Sequence, residues 1–418
     1  MANVIKLPAY QWYDPKEIDY PLPDEWPATV YKIAGADRPV MTHEQIKAAI
    51  ASPIGSPRLR EMARDKKKVV ILFDDLTRAT QVSRLAPAVL DELKEAGVPD
   101  NQVEFICAVG AHQAWDRADL AKKLGGEILN RFPVYNHVPF MNCTYLGKTS
   151  YGGKVEVSTE VMSADLKIGI GGIVPHASFG FGGGGKIIMP GVSSYEAIAT
   201  HHGLTHKAFR EERRKSGASF NYGFVDANPM TLEAIEMAKM AGLDFIVNCL
   251  MNHWGEPVAI YAGSLEPAYW AGVKEAKTHY RVDGPQDNDI VITNAYCKGN
   301  EAYHALQTAL PHVSRKGGDL VLIVSSPLGW VYHYLSGSHG QTIGGRTQAR
   351  LAIPEYINHV IVYSEFTELR TIDRFVEQDQ GKVRLMSKWD DVISALQQWH
   401  SAGTKVAVFT DGTIQISG

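Results

Sequence analysis

A glycine-rich loop in the middle of the chain constrains the fold and the function more than any other stretch. Five of the six residues from Gly180 to Gly185 are glycine, and Lys186 follows them directly. Without Cβ atoms, the backbone amides of such a loop can lie directly against a ligand. The apolar residues 164–174 predict a buried strand before the loop, and residues 193–202 predict a helix with a serine N-cap after it. A strand, a glycine loop and a helix start together indicate a phosphate site.

Two nucleotide-binding motifs come close to this loop, and each lacks a required residue. Residues 180–186 match the G-x-x-x-x-G-K pattern of P-loop proteins, but Ile187 stands where a hydroxyl side chain would bind Mg²⁺. Residues 169–174 begin like a dinucleotide-binding fingerprint, but Val174 stands where glycine is required. A flexible hinge would explain the glycines, but not the lysine and the three histidines that flank them. A P-loop-like phosphotransferase and a non-catalytic metal or nucleotide carrier remain as alternatives.

Composition and charge favour a globular protein that acts on a small molecule. The chain has 418 residues, of which 45% are hydrophobic and 21% are charged, and its net charge is −4. We therefore expect neither nucleic acid nor a membrane as a partner. The N-terminus lacks the pattern of a secretion signal, and the four cysteines lack metal-binding spacing, so we expect a cytoplasmic protein with reduced thiols.

A second polar cluster follows the predicted strand at residues 68–73. The guanidinium of Arg78 offers a planar fork that suits a carboxylate or a phosphate, and Asp75 could hold that fork in place. Thr77 could add a hydroxyl contact. In α/β proteins, polar clusters at the carboxyl ends of strands are where binding sites form. An ordinary Asp–Arg pair at a helix start is the structural alternative.

The order of motifs around the glycine loop resembles the nickel-dependent lactate racemase family. The motifs are Pro-His at 175–176, the glycine loop with its lysine, Pro-Gly-Val-Ser-Ser-Tyr-Glu at 190–196 and His-His at 201–202. The resemblance implies a nickel-pincer nucleotide (pyridinium-3-thioamide-5-thiocarboxylic acid mononucleotide) bound covalently at Lys186. It implies nickel ligation by His202, with the adjacent His201 as the alternative. Cofactor-synthesis enzymes become expected partners.

The same resemblance implies the roles of the remaining site residues. His112, in a Gly-x-His segment after a predicted strand, and His176 match the acid/base histidines of the family. Many relatives have arginine after the first of these, where this chain has Gln113. Arg78 would face the substrate carboxylate and the cofactor. The further residues expected at the cofactor are Asp75, Thr77, Gly182, Gly183, Gly184 and Gly185.

Two loops in the second half of the chain complete the expected site. Residues 294–300 resemble a Gly-Tyr-Pro loop of the family, which implies that Tyr296 and Lys298 bind substrate. Cys297 replaces the proline of that motif, and Gly299 replaces an acidic residue. The loop at residues 326–345 contains His333 and His339 and is long enough to form a lid.

The alternation of predicted strands and helices indicates an α/β protein of two domains, residues 1–283 and 284–418, each with a mainly parallel sheet flanked by helices. We expect the active site in the cleft between them. The resemblance implies a racemase or epimerase of a 2-hydroxy acid. In that reaction a histidine takes the hydroxyl proton while the α-hydride moves to the cofactor, through a transient 2-keto acid.

Overall fold

Two six-stranded sheets flanked by helices form the framework of the protein. The computed structural model describes residues 3–216, 222–335, 351–367, 375, 379 and 381–417. The described strands are β1 (Val4–Ala9), β2 (Lys16–Pro21), β3 (Ala28–Tyr31), β4 (Val69–Asp74), β5 (Val103–Ala108), β6 (Val134–Asn136), β7 (Cys143–Lys148), β8 (Lys154–Ser158), β9 (Leu166–Gly172), β10 (Pro175–His176), β11 (Gly180–Phe181), β12 (Phe245–Met251), β13 (Pro257–Gly263), β14 (Arg281–Val282), β15 (Ile290–Ala295), β16 (Gly318–Val324), β17 (Ile357–Tyr363), β18 (Val383–Met386), β19 (Val406–Phe409) and β20 (Ile416–Ser417).

The helices lie between these strands and cover the sheet faces. The described α-helices are α1 (His43–Ala51), α2 (Leu59–Met62), α3 (Val82–Glu95), α4 (Arg117–Leu124), α5 (Gly126–Arg131), α6 (Thr159–Met162), α7 (Tyr195–Thr200), α8 (His206–Ser216), α9 (Pro229–Met240), α10 (Leu265–His279), α11 (Ala305–Ala309) and α12 (Trp389–Gln397). Within the described ranges, no helix combines the length and the apolar character needed to cross a bilayer.

The first sheet has the strand order β13-β12-β9-β4-β5-β6, and its strands are parallel except for β13. Strands β9 and β12 are buried along their whole length, as expected for parallel strands with helices on both faces. The chain adds β5 and β6 on one side of β4 and later adds β9 on the other side. The strand order therefore reverses between β4 and β9, and ligands of open α/β sheets bind at such a point.

The second sheet is parallel throughout, with the strand order β18-β17-β16-β15-β19-β3. Side chains alternate between two apolar clusters, so that Val291 and Leu320 face one side and Ile292 and Val321 face the other. Its strand order reverses between β15 and β19. This observed architecture agrees with the predicted α/β class.

Strands β1, β2 and β3 lie against the second sheet, although the predicted division at residue 283 groups them with the first. Strand β3 pairs with β19. The hairpin of β1 and β2 contributes Ile5, Leu7 and Tyr20 to the cluster that contains Ile292. The chain therefore crosses between the two sheets near its start as well as after α10.

The segment after β15 does not form one continuous α-helix. It consists of a 3₁₀ helix (Gly299–His304), the short α11 and a second 3₁₀ helix (Leu310–His312). Glu301 has a non-helical backbone, and Pro311 cannot donate a hydrogen bond, so a continuous α-helix does not form. In the predicted lid, residues 336–345, including His339, lie outside the described residues.

Candidate active site

The loop after β4 is fixed by a buried lysine and by its own side chains. Lys123 of α4 is completely buried, and its Nζ donates to the carbonyl oxygens of Asp75 at 2.9 Å and Arg78 at 2.7 Å. Oδ1 of Asp75 accepts hydrogen bonds from the amide of Thr77 at 3.0 Å and from its hydroxyl at 2.5 Å. The turn from residue 75 to residue 78 is therefore set before any ligand binds.

His112 follows β5 and is oriented by Asp75. Nδ1 of His112 lies 2.8 Å from Oδ2 of Asp75. A carboxylate only accepts hydrogen bonds, so Nδ1 carries the hydrogen, and Nε2 of the neutral ring has its lone pair available. Burial raises the pKa of Asp75, but its interaction with His112, together with the charge of Arg78, lowers it below its ordinary value. The pair has the arrangement of a carboxylate-supported general base.

Arg78 is paired with Glu301, and not with Asp75 as the sequence suggested. Nη1 of Arg78 donates to Oε2 of Glu301 at 2.6 Å and to the carbonyl and hydroxyl oxygens of Thr77, each at 2.8 Å. Asp75 uses its carboxylate for His112 and Thr77 instead. Within the described part of the chain, Nε and Nη2 of Arg78 make no hydrogen bond. These two nitrogens form a fork that suits a carboxylate.

The glycine loop brings Lys186 next to His176. Nζ of Lys186 lies 3.4 Å from Nε2 of His176 and 3.6 Å from the centre of the Phe179 ring. Burial and the positive charge of Arg78 lower the pKa of Lys186 well below its ordinary value. A neutral amine is a nucleophile, whereas an ammonium group is not. The lowered pKa of Lys186 therefore favours the form that can bond covalently to a ligand.

Two backbone amides hold the ring of His176. Nδ1 accepts hydrogen bonds from the amides of Ser178 at 3.1 Å and Phe179 at 3.3 Å. Burial, followed by the charge of Lys186, lowers the pKa of His176 well below its ordinary value. Nε2 is the ring nitrogen that faces Lys186. The ring is thus fixed and neutral at physiological pH.

The four glycines named as cofactor contacts divide into two pairs. Gly183 and Gly184 line the cavity described below, whereas Gly182 and Gly185 do not. A Cβ on Gly184 would lie 2.6 Å from the Tyr269 ring, and φ at that residue is +55°. The amides of Gly182 and Gly184 already donate to Val174 and Asn248. Close packing therefore accounts for part of the glycine pattern.

The histidine pair lies in a π-helix, where its two members face different surroundings. Residues His201–Thr205 form this π-helix directly after α7. Nδ1 of His201 lies 2.6 Å from Oε2 of Glu233, and both side chains are fully buried. Nδ1 of His202 donates to the carbonyl oxygen of Ile198 at 2.9 Å, so Nε2 of the neutral ring is available as a ligand. Burial and the charge of His201 lower the pKa of His202 well below its ordinary value.

A cavity of about 180 Å³ connects these groups. Nine of the thirteen predicted site residues line it: Asp75, Thr77, Arg78, His112, His176, Gly183, Gly184, Lys186 and His202. Further lining comes from the carboxyl ends of β4, β5, β9 and β12 and, in the second half of the chain, from Glu301, Tyr303, His304 and His333. His201 is not among the lining residues, which agrees with the choice of His202 as the candidate ligand.

Tyr296 and Lys298 do not line this cavity. Lys298 is only 2% exposed, and its Nζ donates to the carbonyl oxygen of Pro175 at 2.6 Å. Burial and the charge of Arg78 lower its pKa to about 7. The amide of Tyr296 donates to Asp411, which lies just beyond β19. Their role in substrate binding stays a prediction.

Sequence reasoning missed Glu301, which is 4% exposed and is the acidic residue nearest to Arg78. The expected acidic position was Gly299, and Glu301 supplies the carboxylate two residues later. The signal that could have identified Glu301 was the presence of an acidic residue shortly after the buried strand β15. Lys123 had no such signal, because nothing in the sequence distinguishes it from its partly exposed neighbour Lys122.

The sequence comparisons all match this chain to lactate racemases. Residues 13–214 match the lactate racemase N-terminal domain. The lactate racemase of Thermoanaerobacterium thermosaccharolyticum is 29% identical over 330 residues, which cover 77% of this chain and 74% of that protein. The lactate racemase of Lactiplantibacillus plantarum is 26% identical over 323 residues, which cover 75% of this chain and 74% of that protein.

Solved structures show that the fold is shared over nearly the whole chain. The lactate racemase apoprotein from Thermoanaerobacterium thermosaccharolyticum superposes with a TM-score of 0.72 at 23% identity, covering 99% of this chain and 100% of that one. A crystal structure of a Thermotoga maritima protein superposes with a TM-score of 0.64 at 19% identity, covering 90% of this chain and 99% of that one. At these identities the likeness concerns the fold alone.

Proposed function

Because residues 13–214 match the lactate racemase N-terminal domain and two lactate racemases are similar over about three quarters of the chain, we propose that this protein racemises or epimerises a 2-hydroxy acid. One observation carries the proposal. The cavity contains two histidines with fixed rings, His112 and His176, together with the guanidinium of Arg78 and the amine of Lys186. A non-catalytic carrier would need Lys186 and His202 but neither of the other two histidines. A phosphotransferase is disfavoured because two of the loop amides already donate within the protein.

The chain's own residues supply binding and proton transfer. Arg78 would bind the substrate carboxylate through Nε and Nη2, the two nitrogens that the described protein groups leave available. Nε2 of His112 would take the hydroxyl proton, and Asp75 would stabilise the resulting imidazolium. His176 would contact the reacting groups from its position beside Lys186. Loss of the proton and the α-hydride leaves a 2-keto acid, and their return gives either enantiomer.

The residues present fit a lysine-tethered nickel-pincer nucleotide. Lys186 offers an amine whose pKa is lowered, and His202 offers one imidazole nitrogen whose partner nitrogen is held by a backbone carbonyl. Across the described ranges, no group of three or more His, Cys, Asp or Glu side chains could hold a metal. A nickel ion on His202 would therefore need ligands from the nucleotide, whose thioamide and thiocarboxylate sulfurs are soft donors.

When bound, this cofactor would supply the hydride acceptor that no protein side chain provides. Direct proton abstraction from carbon is the simpler alternative. It is poorly supported, because a histidine with a pKa of about 6.5 is badly matched to the very weakly acidic α-carbon of a hydroxy acid. We further propose that the enzymes that build the cofactor act with this protein before its first turnover.

An isotope experiment tests the proposed reaction. Protein made together with the cofactor-synthesis enzymes is given an α-deuterated 2-hydroxy acid in ordinary water. We expect racemisation with the deuterium largely retained, because hydride transfer does not exchange with solvent. The Lys186→Ala variant is the control and should lack both the added mass at this residue and the activity. Loss of deuterium in step with racemisation would reject hydride transfer in favour of direct carbon-acid chemistry.

A further inference from the structure

Glu301 lies between the two groups that would bind the reacting end of the substrate. Oε2 accepts the hydrogen bond from Nη1 of Arg78 at 2.6 Å. Oε1 lies 3.6 Å from Nε2 of His112 and 3.9 Å from Nε2 of His304, both beyond hydrogen-bond distance. Within the described residues, Oε1 therefore has no hydrogen-bond donor. It belongs to a residue that lines the cavity.

Holding Arg78 in place does not explain a carboxylate at this position. The carbonyl and hydroxyl oxygens of Thr77 already accept from Nη1 of Arg78. Burial raises the pKa of Glu301, but the charge of Arg78 lowers it well below its ordinary value, so the group is ionised at neutral pH. An ionised carboxylate beside Arg78 weakens the attraction of that guanidinium for the carboxylate of a small acid such as lactate. A donor on the substrate would offset this cost.

The lining of the cavity is polar on the side of Glu301. Tyr303, His304 and His333 come from the same half of the chain and line the cavity with it. The aliphatic lining comes instead from the first sheet, where Ala108, Val109 and Ala111 lie at the end of β5. A substrate whose carbon chain extends towards Glu301 would therefore meet hydrogen-bonding groups.

We infer that Glu301 accepts a hydrogen bond from a second hydroxyl of the substrate, on the carbon next to the reacting one, so that the site selects 2,3-dihydroxy acids over lactate-like acids. This inference rests on the proposed function, in which the 2-hydroxyl lies at Nε2 of His112. That nitrogen and Oε1 of Glu301 are 3.6 Å apart, so neighbouring hydroxyls can bond to both at once. A site built to bond a hydroxyl discriminates strongly against the analogue that lacks it.

Glycerate and lactate form the matched pair of probes, because they differ by a single hydroxyl. Their dissociation constants are measured by calorimetry on the full chain prepared with the cofactor-synthesis enzymes. We expect wild type to bind glycerate about tenfold or more tightly than lactate. Glu301→Ala should bring the ratio close to one, mainly by weakening glycerate, and Glu301→Gln should give an intermediate ratio. Glu127→Gln, at an exposed glutamate, is the matched control and should keep the wild-type ratio.

Each outcome decides the inference. Equal or tighter binding of lactate by wild type would overturn it, and so would the absence of glycerate binding. If Glu301→Gln weakened the binding of both acids equally, Glu301 would only position Arg78 and would not select the second hydroxyl. Unfolding midpoints of the two variants separate misfolding from altered binding. The expected ratio without racemisation of either acid would reject the proposed function while leaving this selectivity intact.

Discussion

At the scale of single residues, the site depends on which atom of each side chain is already engaged. Asp75 occupies Nδ1 of His112 and thereby leaves Nε2 for chemistry. Glu301 and Thr77 occupy Nη1 of Arg78 and leave the fork of Nε and Nη2. Burial lowers the pKa of Lys186 well below its ordinary value. The protein thus fixes the binding geometry and the protonation states of its site through contacts among its own residues.

Replacing Asp75 by asparagine tests the support of the proposed base. An amide at this position can present its NH₂ group to Nδ1 and favour the wrong tautomer of His112, so we expect the rate constant kcat to fall by about 100-fold or more. Steady-state racemisation assays measure this loss. Asp37→Asn, at an exposed surface position, is the control. The double variant with His112→Ala should lose little more than His112→Ala alone, because the two residues act as a unit. Additive losses would contradict this coupling.

The sequence predicted those residues lining the cavity that belong to recognisable motifs. Lys186, His176 and His202 follow from the order of motifs around the glycine loop, and the cavity brings them together. It did not predict that Arg78 pairs with Glu301, because the two residues are more than 200 positions apart and only the packing of two sheets brings them together. Such partners depend on tertiary structure, which local patterns do not encode.

At the scale of elements, the π-helix at His201–Thr205 separates the two adjacent histidines. The wider turn places the ring of His201 against Glu233, while His202 reaches the cavity. The hydroxyl of Thr205 also donates to Glu233, which anchors the turn at its other end. Single-turn π-helices of this kind occur frequently at functional sites. Apolar periodicity predicted a helix here, but it cannot show where the winding changes.

Substitution of each histidine in turn tests the assignment of the nickel ligand. We expect His202→Ala to lose most of its bound nickel while keeping the tether mass at Lys186. We expect His201→Ala to retain most of the metal, because its imidazole is engaged with Glu233. Metal analysis and intact mass of the purified proteins provide both readouts. Nickel loss confined to His201→Ala would show that His201, and not His202, is the nickel ligand.

At the scale of the whole molecule, the N-terminal segment ties the start of the chain to the second sheet. The hairpin of β1 and β2 covers one sheet face, and β3 extends the sheet at its edge. Trp26 lies between them at 1% exposure, and its indole donates to the carbonyl oxygen of Ser401 at 2.9 Å. No local pattern in the sequence tells which of the two sheets such a segment joins.

Truncation of Trp26 tests the contribution of this segment. Trp26→Ala should lower the free energy of unfolding by about 3–5 kcal/mol, because it leaves a cavity between the hairpin and the sheet. Val30→Ala, at a position of β3 that is 41% exposed, should change it by less than about 1 kcal/mol. Chemical denaturation followed by fluorescence and circular dichroism measures both. Equal effects would show that the hairpin is not part of the cooperative core.

The pairing of β3 with β19 has a consequence for synthesis in the cell. Residues 28–31 leave the ribosome early, but their partners at residues 406–409 are made nearly at the end. At a synthesis rate of about 5–20 residues per second, the apolar face of the first hairpin remains uncovered for roughly tens of seconds, until the strands of the second sheet have been made. A nascent chain halted before residue 290 would expose Ile5, Leu7 and Tyr20 to solvent and offer a binding site for chaperones.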